Sequence, residues 1–276
     1  MKKKIPVAAV IGSPIEHSKS PLIFHHWIRV HSLQGYYVPL NVSSENLEKV
    51  IRTMPKMGFV GCNVTLPHKE RVLHIADDAT DEALRIGAAN VLNFYDDGQI
   101  IADNTDEFGF SENLQECAPN WRPEAGSAII IGAGGAAKAV VSSLLKLGVP
   151  KITIMNRTYS RAEVIQKTFG QKINIATWSD ADDLLADVNL IVNSTSLGMI
   201  GQKKLNFPIS EITKKTVVAD LVYTPLNTNF LKAAKKVGCK TVDGLGMLLF
   251  QAAPCFKRWF GVMPTVDSKL RSIILK

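Results

Sequence analysis

The sequence predicts an α/β protein of two domains, and three observations predict it. Short apolar runs of strand length alternate with longer helix-like segments along nearly the whole chain. A stretch at 119–126 with two prolines and a glycine interrupts that alternation. A glycine-rich turn, Gly132-Ala133-Gly134-Gly135-Ala136, then joins an apolar run to a helix-like one. Alternation of this kind builds parallel sheets with helices on both faces. Two such series joined by a linker predict two α/β domains with a cleft between them.

In order along the chain, residues 7–11 are apolar and read as a strand. Ser20-Pro21 opens a helix, with a capping hydroxyl and proline in the first turn, and Gly35 closes it. Residues 36–40 read as the next strand. Ser43-Ser44 is expected to cap a helix that ends near Gly58. Residues 62–65 form a strand that feeds the turn Pro67-His68-Lys69. Residues 89–95 and 99–102 flank Asp96-Asp97-Gly98 and read as a hairpin. A helix over about 105–118 precedes the linker. Strands are then expected at 127–131, 151–155, 173–177, 189–193, 216–220 and 239–242, with a helix over 244–259.

Composition narrows the function classes. The chain has 276 residues, 46% of them hydrophobic and 21% charged, as in a soluble globular protein with a full core. Its net charge is +7, but the basic residues are dispersed apart from Lys2-Lys3-Lys4, which reads as a solvated tail. No nucleic-acid partner is expected. The mildly positive balance favours anionic small molecules. Cys62, Cys117, Cys239 and Cys255 show no CxxC spacing, and no long apolar run follows the lysines. Free thiols, a cytoplasmic location and no membrane segment are therefore expected. The six histidines form no HExxH or Cys/His cluster, so no metal is expected.

The glycine turn carries the first chemical signal. It follows an apolar strand at once and opens a helix that ends at Gly148. In that context glycines permit the tight turn and a close backbone approach to a pyrophosphate, which the helix N-terminus attracts. An NAD site usually places Asp or Glu about twenty residues further on, to bond the ribose 2′-hydroxyl. Near that offset this chain has Asn156-Arg157-Thr158, with Arg161 one turn on. An acid would repel a 2′-phosphate, whereas guanidiniums attract it, each such contact contributing about 1.5–3 kcal/mol. The reading is NADP.

Two motifs upstream supply a lysine and an aspartate: Asn63-Val64-Thr65-Leu66-Pro67-His68-Lys69 and Asp103-Asn104-Thr105-Asp106. Both are flanked by amides and hydroxyls that suit a polyhydroxylated substrate. A nicotinamide beside such a pair is equipped to move a hydride and a proton together. Taken alone, Asp106 also reads as a helix-start carboxylate, and Ser18-Lys19-Ser20-Pro21 as an ordinary helix cap.

With these residues the chain resembles the shikimate dehydrogenase family over essentially its full length, in the single-function bacterial form. The resemblance rests on Ser18-Lys19-Ser20, the 63–69 motif, Gly87-Ala88-Ala89-Asn90, Asn104-Thr105-Asp106, Gly132 to Ala136, Asn156-Arg157-Thr158, Asn193-Ser194-Thr195, Tyr223-Thr224-Pro225, and Asp243-Gly244-Leu245-Gly246-Met247 with Gln251. It implies NADPH-dependent reduction of 3-dehydroshikimate to shikimate, with Lys69 exchanging the proton and Asp106 as its partner. It implies that Ser18, Ser20 and Tyr223 hold the substrate carboxylate, and that Asn63, Thr65, Asn90 and Gln251 bond the ring hydroxyls. Thr195, Leu221, Gly244 and Met247 would line the cofactor site. Asp81 is a candidate on the cofactor side and reads equally as a solvated helical acid.

The implied architecture is an N-terminal substrate domain over 1–105 and a Rossmann-type NADP-binding domain over 106–242. Helices over 243–276 would return to the substrate domain, with Phe250, Phe256, Trp259 and Phe260 as core. A monomer and a homodimer are both compatible. Two departures stand out: Val91 follows Asn90 where the family often has threonine, and Ala102 and Glu107 replace the two glycines of a Gly-x-Asn-Thr-Asp-Gly pattern. The backbone at 102 and 107 must then be one that residues with a Cβ adopt. The rival readings are a broad quinate/shikimate dehydrogenase that also uses NAD, and a catalytically silent metabolite binder.

Overall fold

The computed structural model describes residues 4–185 and 187–275. Lys2 and Lys3 of the basic run lie outside them; Lys4 is exposed and pairs with Asp96 at 3.1 Å. The chain divides into two compact units, residues 1–105 with 248–276, and residues 106–247.

In chain order the first unit contains β1 (Val7–Gly12), α1 (Ser20–Val30), β2 (Tyr36–Asn41), α2 (Leu47–Thr53), β3 (Phe59–Val64), α3 (Arg71–Ile75), β4 (Asp78–Ala79), α4 (Asp81–Ile86), β5 (Val91–Phe94) and β6 (Ile100–Asp103). The second follows with α5 (Asp106–Cys117), β7 (Ser127–Ile131), α6 (Gly135–Lys146), β8 (Ile152–Met155), α7 (Tyr159–Phe169), β9 (Ile173–Ala176), α8 (Ala181–Leu184), β10 (Val188–Asn193), β11 (Val217–Asp220), α9 (Asn229–Val237) and β12 (Lys240–Val242). The division between units falls inside α10 (Gly244–Phe260), after Met247; α11 (Ser268–Ile274) then ends the first unit.

The first unit's sheet has the order β2-β1-β3-β5-β6-β4. It is parallel across β2, β1 and β3 but mixed beyond, because β5 and β6 form a hairpin that runs antiparallel to β3. Ala9 and Ile11 of β1, Cys62 and Val64 of β3 and Leu92 of β5 are buried in one apolar cluster with Leu47 and Ile51 of α2. A separate aromatic cluster joins α1, β2 and α10. Phe24 stacks on Tyr37 at 3.8 Å between centroids, and Phe256 stacks on Phe260 at 4.8 Å. Phe256, Trp259 and Phe260 are buried, whereas Phe250 is only half-buried. Close approach of α10 requires Gly61: a Cβ there would lie 2.3 Å from Trp259 Nε1 and 2.6 Å from the Leu92 carbonyl oxygen.

Two helix starts differ from expectation. Ser20 is the first helical residue of α1 rather than its cap, and no side-chain cap bond is present. It is Ser18 Oγ that accepts the Ser20 backbone N–H, at 3.4 Å. The helix expected after Ser43-Ser44 starts later, with Asn46 as its N-cap, and ends before a short 3-10 turn at Pro55–Met57. Both sites are rich in side chains that bond locally, so several cap registers compete.

The second unit's sheet is wholly parallel, with order β12-β11-β10-β7-β8-β9. Its strands carry near-continuous apolar runs such as Ala128, Ile129, Ile130 and Ile131, as strands covered on both faces do. One apolar cluster, including Val140 and Leu144 of α6 and Phe110 and Leu114 of α5, covers one face; another, including Phe230 and Leu231 of α9, covers the other. No helix among the described residues is long and apolar enough to cross a membrane.

Candidate active site

The cofactor half is built where the second unit's strand order reverses. Read from β9, the sheet steps inward to β7 and then jumps to β10, so the loops after β7 and β10 diverge from adjacent strands. Ligands bind at such a switch point in open α/β sheets. The loop after β7 is the glycine turn. Gly132 has φ 114°, open to glycine but strained for other residues. A Cβ on it would lie 2.6 Å from Ser194 Oγ and 2.9 Å from Thr195 Cγ2, in the loop after β10. The two loops touch, and only glycine permits it. Ser194 Oγ donates to the Ile131 carbonyl at 2.7 Å, tying them together.

Beyond Gly132 and Ala133 the chain opens. A Cβ on Gly134 would meet nothing within 4 Å, and Gly134 caps α6 with no side-chain bond. Gly135 and Ala136 form its first turn. The start of α6 thus offers space and a positive dipole end, which fits a pyrophosphate. After β8, Asn156 Nδ2 donates to the Thr158 carbonyl at 2.8 Å and shapes the turn. Arg157 and Arg161 are exposed, Thr158 caps α7 without a side-chain bond, and no carboxylate stands among residues 156–162. That donor set fits a nucleotide bearing a 2′-phosphate.

Other predicted cofactor residues have structural duties. Thr195 Oγ1 donates to Asn193 Oδ1 at 2.7 Å and accepts the Leu197 N–H at 3.1 Å, so it shapes the β10 loop. Met247 is buried in the core cluster, with Leu221 packed against that cluster. Gly244 is the first residue of α10. Asp81 stands in the first unit, exposed, as the first residue of α4, where the dipole stabilises a carboxylate.

One residue that sequence reasoning missed organises this unit. Asp220, at the end of β11, is buried and accepts from Asn193 Nδ2 at 2.9 Å, the Val222 N–H at 3.0 Å and Thr228 Oγ1 at 2.6 Å. Burial pushes its pKa up, and those three bonds pull the other way. Its partners are 27, 2 and 8 positions away, so no local motif announces it. Tyr223, in the segment after β11, is half-buried, and burial raises its phenol pKa.

The first unit holds a buried polar network among the residues expected to bond ring hydroxyls. Asn63, at the end of β3, accepts from Tyr37 Oη at 2.7 Å. Its Nδ2 donates to the Asn90 carbonyl at 3.3 Å and to Cys255 Sγ at 3.4 Å. Asn90 Nδ2 donates to Gln251 Oε1 at 3.0 Å and Thr105 Oγ1 at 3.1 Å, and its Oδ1 accepts the Thr105 N–H at 2.8 Å. Gln251 sits on α10, 161 positions from Asn90. These groups are all nine-tenths buried. Buried amides are costly unless bonded, so the network fixes each in one orientation. Tyr37, Thr105 and Cys255 join it without having been assigned roles. Thr105 was legible in its motif, whereas Tyr37 and Cys255 left no signal.

Lys69 follows β3 by five residues and is half-buried, and its carbonyl accepts the Ala89 N–H at 2.8 Å. His68 beside it is buried, with Nε2 2.7 Å from the Val42 carbonyl oxygen, which pins the turn. Thr65 donates its N–H to the Ile11 carbonyl at 2.9 Å. Ser18 is half-buried and Ser20 buried. Asp106 is buried and opens α5 as the first residue of the second unit. The structure thus brings Asn63, Asn90 and Gln251 into direct contact within the first unit, and the glycine turn against Thr195 within the second.

Comparison with known proteins agrees with both halves. Residues 10–92 match the shikimate dehydrogenase substrate binding domain, and residues 119–245 match shikimate / quinate 5-dehydrogenase. A shikimate dehydrogenase (NADP(+)) from Ruegeria sp. (strain TM1040) is 52% identical over 99% of this chain and 99% of its own. Among solved structures, the shikimate 5-dehydrogenase of Thermus thermophilus in complex with NADP(H) and shikimate superposes with a TM-score of 0.86, at 32% identity over 98% of each chain. A quinate dehydrogenase from Corynebacterium glutamicum in complex with NAD gives 0.90 at 28% identity, over 99% of each chain.

Proposed function

This chain belongs to the shikimate dehydrogenase family, and from that premise we propose that it catalyses the reversible NADPH-dependent reduction of 3-dehydroshikimate to shikimate. The observation that carries the substrate half is the bonded set Asn63, Asn90, Thr105 and Gln251, four buried polar side chains gathered from four segments of the chain. A site of this kind rejects analogues that lack a hydroxyl, because its own groups are left unpaired. The Arg157 and Arg161 guanidiniums beyond β8 support NADP over NAD.

NADP, when bound, supplies the hydride chemistry at the carbinol carbon. In this reading Lys69 gives the proton to the substrate oxygen in reduction and takes it back in oxidation. Asp106 is the partner of that exchange. Ser18, Ser20 and Tyr223 hold the substrate carboxylate, and Asn63, Thr65, Asn90 and Gln251 set the ring. Free cysteines at all four positions suit a reducing cytoplasm, where the chain acts on its small-molecule substrate as a monomer or homodimer.

Initial rates of cofactor reduction with shikimate or quinate, each with NADP⁺ or NAD⁺, test the proposal. Activity confined to shikimate with NADP⁺ is the expected result. Comparable rates with quinate and NAD⁺ would place the chain with broad quinate/shikimate dehydrogenases that also use NAD. No activity in any combination would leave a binding protein.

A further inference from the structure

The residue after Asp106 is one of the places where this chain departs from the family pattern, carrying Glu107 instead of glycine. The helical backbone there accepts a Cβ without strain: Ser32 alone among the described non-glycine residues has positive φ. The carboxylate, however, is buried, with its side chain 10% exposed. Burying a carboxylate costs several kcal/mol unless it is paired and hydrogen-bonded. Here both oxygens have partners. Ser142 Oγ donates to Oε2 at 2.5 Å, and the Lys146 ammonium pairs with Oε1.

Ser142 and Lys146 are four positions apart on α6, so they share one face and grip the carboxylate together. The same helix starts at Gly134-Gly135, where the pyrophosphate would sit. Asp106 is therefore the first residue of a turn fastened directly to the helix that carries the glycine loop. All of these residues belong to the second unit. Upstream, Thr105 and Asp103 are tied into the first unit instead. Thr105 is bonded to Asn90, and Asp103 accepts from Arg258 Nη1 at 2.9 Å and Thr80 Oγ1 at 2.8 Å. Asp106 opens the helix that Glu107, its next residue, fastens to α6.

We propose that Glu107, clamped by Ser142 and Lys146, is a positioning residue that sets where Asp106 stands for proton exchange. The inference rests on the role given to Asp106 above. A group displaced by about 1 Å from its productive place loses up to about 100-fold in rate, so release of the clamp acts on turnover more than on binding. Lys146 is half-exposed, so variants there are open to substitution without loss of the fold.

The test is kcat, with KM for shikimate and for NADP⁺, in Glu107→Ala, Lys146→Met and Lys146→Arg beside the unaltered enzyme. Expected are a kcat lowered about tenfold in the first two, NADP⁺ KM within about twofold, and recovery of kcat in Lys146→Arg. A purely structural clamp would lower the thermal midpoint but leave the kcat of folded protein unchanged. That outcome overturns the proposal, as would Lys146→Arg impaired equally with Lys146→Met. Should Glu107→Ala fail to fold, the Lys146 pair decides alone. An unaltered enzyme inactive on shikimate sinks the functional reading itself, a result distinct from active variants that match it.

Discussion

At the scale of single residues, position and chemistry separate cleanly. Lys69 lies in a turn pinned by buried His68, so its ammonium is delivered from a fixed backbone rather than a loose loop. If it exchanges the proton, Lys69→Ala lowers turnover by about 10²–10⁴-fold, the range expected of general acid–base groups, while shikimate still binds. Steady-state rates paired with calorimetric binding check this; near-normal turnover would remove Lys69 from the mechanism. The motifs around Lys69 and Asp106 were legible because each packs several chemistry-bearing side chains into a few residues. Asp220, Tyr37 and Cys255 were not legible, because their partners arrive from distant segments and nothing beside them is unusual.

At the scale of elements, the strands other than β4 and the helices α1, α2, α5, α6 and α10 followed from apolar periodicity and glycine or proline punctuation. The segment holding α3, β4 and α4 was not assigned, because these pieces are two to six residues long and too short to show a period. Cap registers also misled where serines cluster, as at Ser20 and Ser43-Ser44. Packing between elements sets sharper limits. Gly61 lets α10 lie on β3, and an added methyl would meet the Trp259 ring and the Leu92 carbonyl oxygen. Gly61→Ala is expected to cost about 1–3 kcal/mol, as overpacking does. Urea unfolding measures it, and an unchanged midpoint would mean that α10 shifts freely.

At the scale of the whole molecule, alkaline pH should weaken the first unit. Tyr37 and Cys62 are completely buried, and burial raises both pKa values well above their ordinary range. Cys255 is pushed up to about 11 by the same cause, from an ordinary 9.0. An acid whose folded pKa is raised holds its proton longer in the folded state than in the unfolded one. Stability is therefore full below pH 9, the ordinary thiol value, and declines as pH rises through and beyond it. Urea midpoints measured between about pH 7 and 10.5 should fall in the upper part of that range. A flat profile would mean that these groups are hydrated in solution.

Local chemistry alone was enough to read the two-domain α/β class and the glycine turn, and to single out Arg157, Arg161 and the Lys69 and Asp106 motifs. Each of these is written within a few neighbouring residues, where steric and electrostatic preferences act directly. Tertiary structure decided the rest: the β12-β11-β10-β7-β8-β9 order that brings Gly132 against Thr195, the mixed character of the first sheet, and the unit to which each site residue belongs. It also joined Asn90 to Gln251 across 161 positions and buried Glu107 between Ser142 and Lys146. Such pairings depend on which surfaces meet when apolar area is removed from water, and a linear pattern does not encode that meeting.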